Sequence, residues 1–345
     1  MKGEGPVDKV VLAQIGVGNW GKNLLRNFAN LSNVTVKMVA DVDATIRQKV
    51  QKQYPDVEVV ADFEKVIYDE DVNAVVIATT PETHFELSKN ALLADKHVFV
   101  EKPMVLKARD GEELVRIAKE KNKVLMVGHI LEYHPCFLKM KELVDSGELG
   151  EIFYLYSTRV NLGVVRQHEN ALWSLAPHDI SIALMLIQAE PIKVVATGQS
   201  YLQKGIEDVV FTTIHFPDNK MAHLHVSWLD PHKIRKVTLV GSKKMVVMDD
   251  MESSEKLRIY DKGVNFKEGY VDYNQSISLR TGDIHIPFVK MQEPLALECR
   301  HFVECIVQGK QPVSNGEDGL RVSKVLEAAQ KSLVKGGVPV EINSL

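Results

Sequence analysis

Between Lys9 and about Val127, short β-branched runs alternate with stretches of helical periodicity. Val10–Ile15 is an apolar run of the length of a buried strand, and beyond Gly16–Gly21 the residues Leu24, Leu25 and Phe28 return at helical spacing. Val34–Ala40, Val57–Val60, Ala74–Ala78, His97–Val100 and Val124–Val127 read as further strands. Helices fit over Ala44–Gln53, Glu82–Ala94 and Ala108–Lys121, with Asp62 a candidate N-cap. Strands separated by helices of this length predict βαβ units and a parallel sheet covered on both faces.

The pattern changes after Glu132. Cys136–Asp145 reads as a helix ending at Ser146-Gly147, and Ile152–Val160 as a long strand with Tyr154, Tyr156 and Thr158 on one face. A helix is expected near Pro177–Gln188. Strand-like runs without intervening helices follow at Val194–Gly198, Val209–Phe216, Met221–Trp228, Lys236–Val240, Met245–Met248 and Leu257–Tyr260, with turn chemistry at Asp218-Asn219 and Gly241-Ser242. Two helices, Glu293–Gln308 and Asp318–Lys335, close the chain. The expectation is an α/β protein. Its first domain, residues 1–127, is an α/β domain with a covered parallel sheet, and its second, residues 128–345, is an α+β domain with a large, mainly antiparallel open sheet. One face of that sheet is helix-covered and the other is open for association; the C-terminal helices are free to pack back on the first domain.

Composition narrows the function classes. The 345 residues are 45% apolar and 26% charged, a globular balance, and 42 basic against 46 acidic residues leave a net charge of −4, with no global footprint for nucleic acid. The most apolar stretches, such as Ala74–Ala78 and Ile180–Ile187, are far shorter than a membrane span of about 20 residues. Met1–Lys9 carries Lys2, Glu4 and Asp8 and no apolar core of a signal peptide. Cys136, Cys299 and Cys305 form no CxxC pair, and a reduced, cytoplasmic setting is expected.

Gly16-x-Gly18-x-x-Gly21, with Asn19 and Trp20 between its glycines, lies between a strand and a helix. There the first glycine permits a tight turn, the second admits a pyrophosphate to the backbone, and the third lets the helix pack on the strand. Asp41 ends the second strand, where a carboxylate accepts from ribose hydroxyls and repels a 2′-phosphate, so NAD is favoured over NADP.

Three further pieces follow in order: Thr79-Thr80-Pro81-x-x-His84 after the fourth strand, Glu101-Lys102-Pro103 after the fifth, and Pro177-His178-Asp179 in the second half. With the glycine loop, Tyr133-His134-Pro135 and Ser146–Gly150, they resemble the Gfo/Idh/MocA family of dinucleotide-dependent sugar and cyclitol oxidoreductases over nearly the whole chain. The resemblance implies NAD as cofactor, held by Gly16, Gly18, Asn19, Trp20, Gly21, Asp41, Thr79, Thr80, Pro81, His84, Glu101 and Lys102. It also implies a nicotinamide beside Glu101–Pro103, a cis bond before Pro103, and homodimers or homotetramers built through the second sheet. Arg159-x-Asn161-x-Gly163, Arg166, Asn170, Trp173 and Pro177–Ile180 are similar to a branch that oxidises the C3 hydroxyl of UDP-N-acetylglucosaminuronate for surface polysaccharides. In that branch the reduced cofactor can stay bound and be reoxidised by a 2-oxo acid. Ser174 departs from the many family members that carry Asp four residues before the catalytic His; either Asp179 takes some of that role, or Lys102 and His178 manage the proton with only neutral support.

Alcohol oxidation by hydride transfer needs a proton acceptor and stabilisation of negative charge on oxygen. His178 suits the first, with an ordinary pKa of about 6.5. Lys102 suits the second through its ammonium. The two roles are exchangeable. Lys102, Arg159, Asn161, Arg166, Asn170, Trp173, His178 and Asp179 are the candidate substrate residues, the arginines for a carboxylate or diphosphate, with Lys233 and Arg235 as weaker candidates. Another polyol or inositol as substrate, or a non-catalytic NAD-binding regulator, are the alternatives. No metal is expected. His223-x-His225 lacks a third ligand nearby, Cys299 and Cys305 read as core thiols, and Asp249-Asp250-x-Glu252 as a solvated turn.

Overall fold

The computed structural model describes residues 9–266 and 277–345. Most of the Met1–Lys9 stretch read above for a leader therefore lies outside the described residues. The chain divides into two compact units: one runs up to Tyr133 and takes in Gln292–Ser323, and the other comprises His134–Met291 and Lys324–Leu345.

The first unit holds strands β1 (Val10–Ile15), β2 (Val34–Ala40), β3 (Glu58–Val60), β4 (Ala74–Ile77), β5 (His97–Glu101) and β6 (Leu125–Gly128). They form one sheet in the order β3-β2-β1-β4-β5-β6, and every pairing is parallel. Helices α1 (Gly21–Ala29), α2 (Ala44–Gln53), α3 (Glu64–Ile67), α4 (Pro81–Leu93) and α5 (Ala108–Glu120) connect successive strands. Strand order reverses between β1 and β4, the switch point where such sheets take their ligands. Asp43 caps α2 by accepting from the Thr45 and Ile46 N–H groups, and Pro81 opens α4, where its missing N–H costs nothing.

Both faces of this sheet are dry. Val75, Ile77, Val98 and Val100 meet Leu87, Ala91 and Leu114 on one side. On the other, Leu12, Val76 and Phe99 meet Leu24, Phe28 and Phe302. Phe28, Phe99 and Phe302 pack edge to face at 5.7–6.1 Å between centroids, which ties α8 (Pro294–Gln308) into this unit although it lies far downstream in sequence. Cys299 and Cys305, on α8, are buried core thiols.

The second unit contains α6 (Pro135–Asp145), α7 (Ala171–Ile187) and a nine-stranded sheet. Its strands are β7 (Ile152–Val160), β8 (Lys193–Gln199), β9 (Val209–His215), β10 (Met221–Ser227), β11 (Ile234–Gly241), β12 (Met245–Asp249), β13 (Leu257–Phe266), β14 (Ile277–His285) and β15 (Val340–Glu341). The order is β14-β13-β12-β11-β7-β10-β9-β8-β15. Most pairs are antiparallel, but β7 and β10 run parallel, so the sheet is mixed. The unit division falls within the last helix, α9 (Gly316–Val334).

Two details differ from the expected elements. Helix α7 starts at Ala171, with Asn170 as N-cap accepting from the Trp173 N–H, and Pro177 lies inside the helix rather than opening it. Strand β13 is longer than expected, and β14 pairs with it in place of the unassigned stretch. Among the described residues no helix is long and apolar enough to cross a membrane.

Candidate active site

Geometry at the glycine loop follows the division of labour its spacing predicts. Gly16 has φ +89°, and a Cβ there would lie 2.6 Å from the Ala78 carbonyl oxygen. A Cβ at Gly21 would lie 2.4 Å from the Gly16 carbonyl oxygen, whereas one at Gly18 meets nothing within 4 Å. The first and third glycines are therefore fixed by close approach of the chain itself, and the second leaves open space. Buried Gln14 clamps the turn, its side-chain amide donating to the carbonyls of Gly16 and Gly21 at 2.8 Å each.

Helix α1 has no side-chain cap and no acidic residue in its first turn, which leaves the positive end of its dipole to an anion. Asp41 follows β2; its Oδ2 accepts from the Val17 N–H at 2.8 Å and its Oδ1 from the Asp43 N–H at 2.9 Å. Each oxygen keeps a further lone pair. Open space at Gly18, a bare helix terminus and this carboxylate fit a dinucleotide with a free ribose 2′-hydroxyl.

Two side chains tie the neighbouring strand ends together. His84 is buried with Nδ1 2.8 Å from the Pro103 carbonyl oxygen and Nε2 3.2 Å from that of Thr79, joining the turns after β5 and β4. Burial pushes its pKa below the ordinary imidazole value. Thr79 and Thr83 hydroxyls meet at 2.7 Å over the start of α4. Glu101, at the end of β5, is buried and accepts from the Trp20 indole N–H at 2.6 Å and from the Lys102 backbone N–H at 3.2 Å. Its carboxyl is pushed up to about 7 by burial, against the opposing pull of the Lys102 charge. The Lys102–Pro103 peptide is cis, as the resemblance implies, and the Lys102 side chain is half-buried. Asn19 and Trp20 are exposed on the loop.

A buried network that sequence reading missed lies in the same unit. One ligand atom each of His129, Glu132 and Asp318 falls within 4.8 Å of the others, and Arg321 Nη1 lies 3.8 Å from Asp318. Burial, then the Asp318 charge, holds the Glu132 carboxyl well above the usual range. Asp318 lies 186 residues beyond Glu132 in sequence, and no local spacing announces the cluster.

In the second unit, Asp179 is buried and fully engaged: Arg159 Nε reaches its Oδ2 at 2.6 Å, Arg159 Nη2 its Oδ1 at 3.2 Å, and Ser157 Oγ its Oδ1 at 2.5 Å. The Asp179 carboxylate is thus held by Arg159 and Ser157. Arg159 faces Arg235 across β7 and β11, and Arg235 is pushed below the ordinary arginine value by burial first and the Arg159 charge second.

Asn170 is likewise held within the fold. Its oxygen caps α7, and its amide donates to Glu207 at 2.6 Å and to Gln330 at 3.0 Å, which occupies both amide hydrogens inside a buried site. Trp173 donates its indole N–H to Gln330 at 2.9 Å. Asn161 is half-buried and Arg166 exposed, with Arg166 3.6 Å from Glu169. His178 is half-buried on α7.

Of the features set aside above, His223 Nδ1 lies 3.0 Å from the Thr213 hydroxyl, and His225 stacks on Phe211 at 4.4 Å. Asp250 lies 3.2 Å from Lys256 Nζ and 3.9 Å from Arg235 Nη1.

Residues 10–129 match the family described as "Oxidoreductase family, NAD-binding Rossmann fold", and residues 137–247 match its C-terminal domain. UDP-N-acetylglucosamine 3-dehydrogenase of Acidithiobacillus ferrooxidans is 24% identical over 89% of this chain and 92% of its own. The solved structure of that enzyme superposes with a TM-score of 0.79 at 22% identity, covering 94% of this chain and 98% of that one. The scyllo-inositol 2-dehydrogenase (NAD(+)) of Bacillus subtilis is 25% identical over 81% of this chain and 80% of its own. Scyllo-inositol dehydrogenase of Lactobacillus casei, solved with NAD(H) and scyllo-inositol, has a TM-score of 0.78 at 20% identity, covering 97% of this chain and 99% of that one. With both domains of one family matched in chain order, on a shared fold and around a loop built for a dinucleotide, the chain belongs to the Gfo/Idh/MocA family of NAD-binding oxidoreductases.

Proposed function

We propose that this chain oxidises a secondary hydroxyl of a sugar by hydride transfer to NAD, the favoured substrate being a UDP-N-acetyl-glucosaminuronate-type nucleotide sugar oxidised at C3. The observation that carries the dehydrogenase reading is the gathering of three turns at the carboxyl ends of β1, β4 and β5. The phosphate loop, the Thr79–Pro81 turn and the Lys102 turn are linked through Trp20–Glu101 and through His84.

NAD, when bound, supplies the hydride acceptor. Gly16, Gly18, Asn19, Trp20 and Gly21 hold its diphosphate, Asp41 its ribose, and Thr79, Thr80, Pro81, His84 and Glu101 shape the wall beside its nicotinamide. Lys102 stabilises negative charge developing on the sugar oxygen, and His178 takes the hydroxyl proton, or the two exchange roles.

An anionic substrate is favoured by the pair Arg159 and Arg235. One is already satisfied by Asp179, while Asp250 lies no closer than 3.9 Å to the other, so a further carboxylate relieves the like-charge pairing. Arg166, Asn161, Trp173 and His178 complete the proposed sugar contacts. C3 as the position oxidised is supported by the likeness to the UDP-N-acetylglucosamine 3-dehydrogenase. Inositol is the second reading, favoured by the inositol dehydrogenase relatives. We further propose assembly as a homodimer or homotetramer through the open sheet face, where Tyr154, Tyr156, Phe211 and Met221 are 37–42% exposed. A reduced, cytoplasmic setting, supported by three buried unpaired thiols, and a part in polysaccharide biosynthesis complete the reading.

Calorimetric binding of UDP, UDP-GlcNAc and its uronate, followed by product analysis with NAD, tests this. The uronate should bind tightest, and Arg235→Met should erase its advantage. A uronate that binds no better than UDP-GlcNAc removes the anionic reading, and oxidation of inositol alone transfers the assignment to the cyclitols.

A further inference from the structure

We propose that Trp20 and Glu101 form a positioning pair in which Glu101 is the counter-charge that favours the oxidised, cationic cofactor over the reduced, neutral one; the role presupposes the NAD-dependent chemistry proposed above. The carboxyl is held from both sides. Trp20 Nε1, carried on the phosphate loop, donates to Oε1 at 2.6 Å, and the Lys102 backbone N–H donates to Oε2 at 3.2 Å. Across the sheet, Glu101 pairs with Gly128, where a Cβ would come within 3.0 Å of the Glu101 carboxyl, so the neighbouring strand is pared back to make room for this acid. Trp20 itself is 43% exposed, a large indole at the surface with its N–H directed at a buried carboxylate. The pair thus spans from the loop that receives a diphosphate to the turn that carries Lys102.

Three titratable groups interact with this acid: Lys102 beside it, and the buried Glu298 and Cys299 on α8. Burial disfavours ionisation; the Lys102 charge and the two N–H donors favour it. Near neutral pH these influences are balanced, so a single added positive charge at the end of β5 decides the matter. The pyridinium of oxidised NAD is such a charge, and the dihydronicotinamide of NADH is not. Binding of the oxidised form therefore drives the Glu101 proton into the buffer, and binding of the reduced form leaves it in place.

The test is calorimetry of NAD and NADH binding to the cofactor-stripped full chain at pH 7, in two buffers of different ionisation enthalpy. NAD should release about half a proton and NADH close to none. Glu101→Gln should abolish the release while still binding NAD and should narrow the preference for NAD over NADH. Trp20→Phe, which keeps an aromatic ring and removes the N–H, should raise the pH of half-maximal release by about one unit. Equal release from the parent chain and Glu101→Gln, or equal release with NAD and NADH, overturns the proposal and leaves the dehydrogenase reading standing. A chain that binds neither cofactor overturns both.

Discussion

Alanine at Gly18 and alanine at Gly21 should have opposite consequences, although the residues are three apart in one loop. A Cβ at Gly21 would sit 2.4 Å from the Gly16 carbonyl oxygen and 3.1 Å from Gln14 Nε2, inside the 3.0 Å limit that real Cβ atoms keep in the first case. The same carbonyl receives the Gln14 amide, so relief by movement breaks that bond too. Overpacking of this kind costs about 1–3 kcal/mol, and Gly21→Ala should lose that much stability in urea unfolding of the cofactor-free chain. Gly18 has open space within 4 Å and no positive φ. Gly18→Ala should leave stability unchanged or raise it by about 0.4–1 kcal/mol through the unfolded chain. Its methyl group instead fills the space reserved for the diphosphate. Losing one or two charge-assisted bonds to backbone N–H groups, about 1.5–3 kcal/mol, weakens NAD by roughly 10- to 100-fold in calorimetric titration. Parent-like NAD binding by Gly18→Ala would show that the anion does not approach this loop, and a Gly18→Ala chain as destabilised as Gly21→Ala would refute the spatial reading of the turn.

Asp41→Ala should weaken NAD by about 10- to 100-fold and NADP by less, narrowing the preference in parallel titrations; an unaltered ratio would remove the ribose assignment. Glu101 has its pKa raised in the folded chain from 4.5 to about 7, so the folded state binds the proton more tightly than the unfolded state does. Its contribution is therefore most favourable below pH 4.5 and is lost as pH rises to 7, by about 2.5 kcal/mol between pH 5 and pH 8. Glu101→Gln should flatten the pH dependence of unfolding of the cofactor-free chain by that amount, and parallel slopes would place the carboxyl in water. Asn170→Ala should cost about 1–2 kcal/mol in thermal or urea unfolding while leaving KM for the sugar unchanged; a large rise in KM would return this residue to the substrate.

Most of the first unit was legible because its strands β1, β4, β5 and β6 are buried almost throughout, so their hydrophobic runs are unmixed. The loop was legible for a different reason: its glycines are demanded by backbone approach that no other residue permits. Helix α7 was read six residues short because Pro177 looks like a first-turn proline, whereas the start signal is Asn170, whose amide group also holds Glu207 and Gln330. Strand β14 escaped notice because Ser278, Arg280, Thr281, Gly282 and Asp283 carry the polar composition of an edge. The return of α8 to Phe28 and Phe99 is a long-range packing event without a local signature. Hydrogen-bond partners carry no local signal: the bond of Asp179 to Arg159 joins residues twenty apart.

Hydride transfer itself is tested most directly by isotope. The chain, incubated with NAD and UDP-N-acetylglucosaminuronate carrying deuterium at C3, should yield nicotinamide one mass unit heavier by mass spectrometry, whether the reduced cofactor is released or retained. Lys102→Ala should bind NAD normally and form the labelled product about 10²- to 10⁴-fold more slowly. Undeuterated nicotinamide from a parent chain that demonstrably binds both NAD and the sugar would contradict the account.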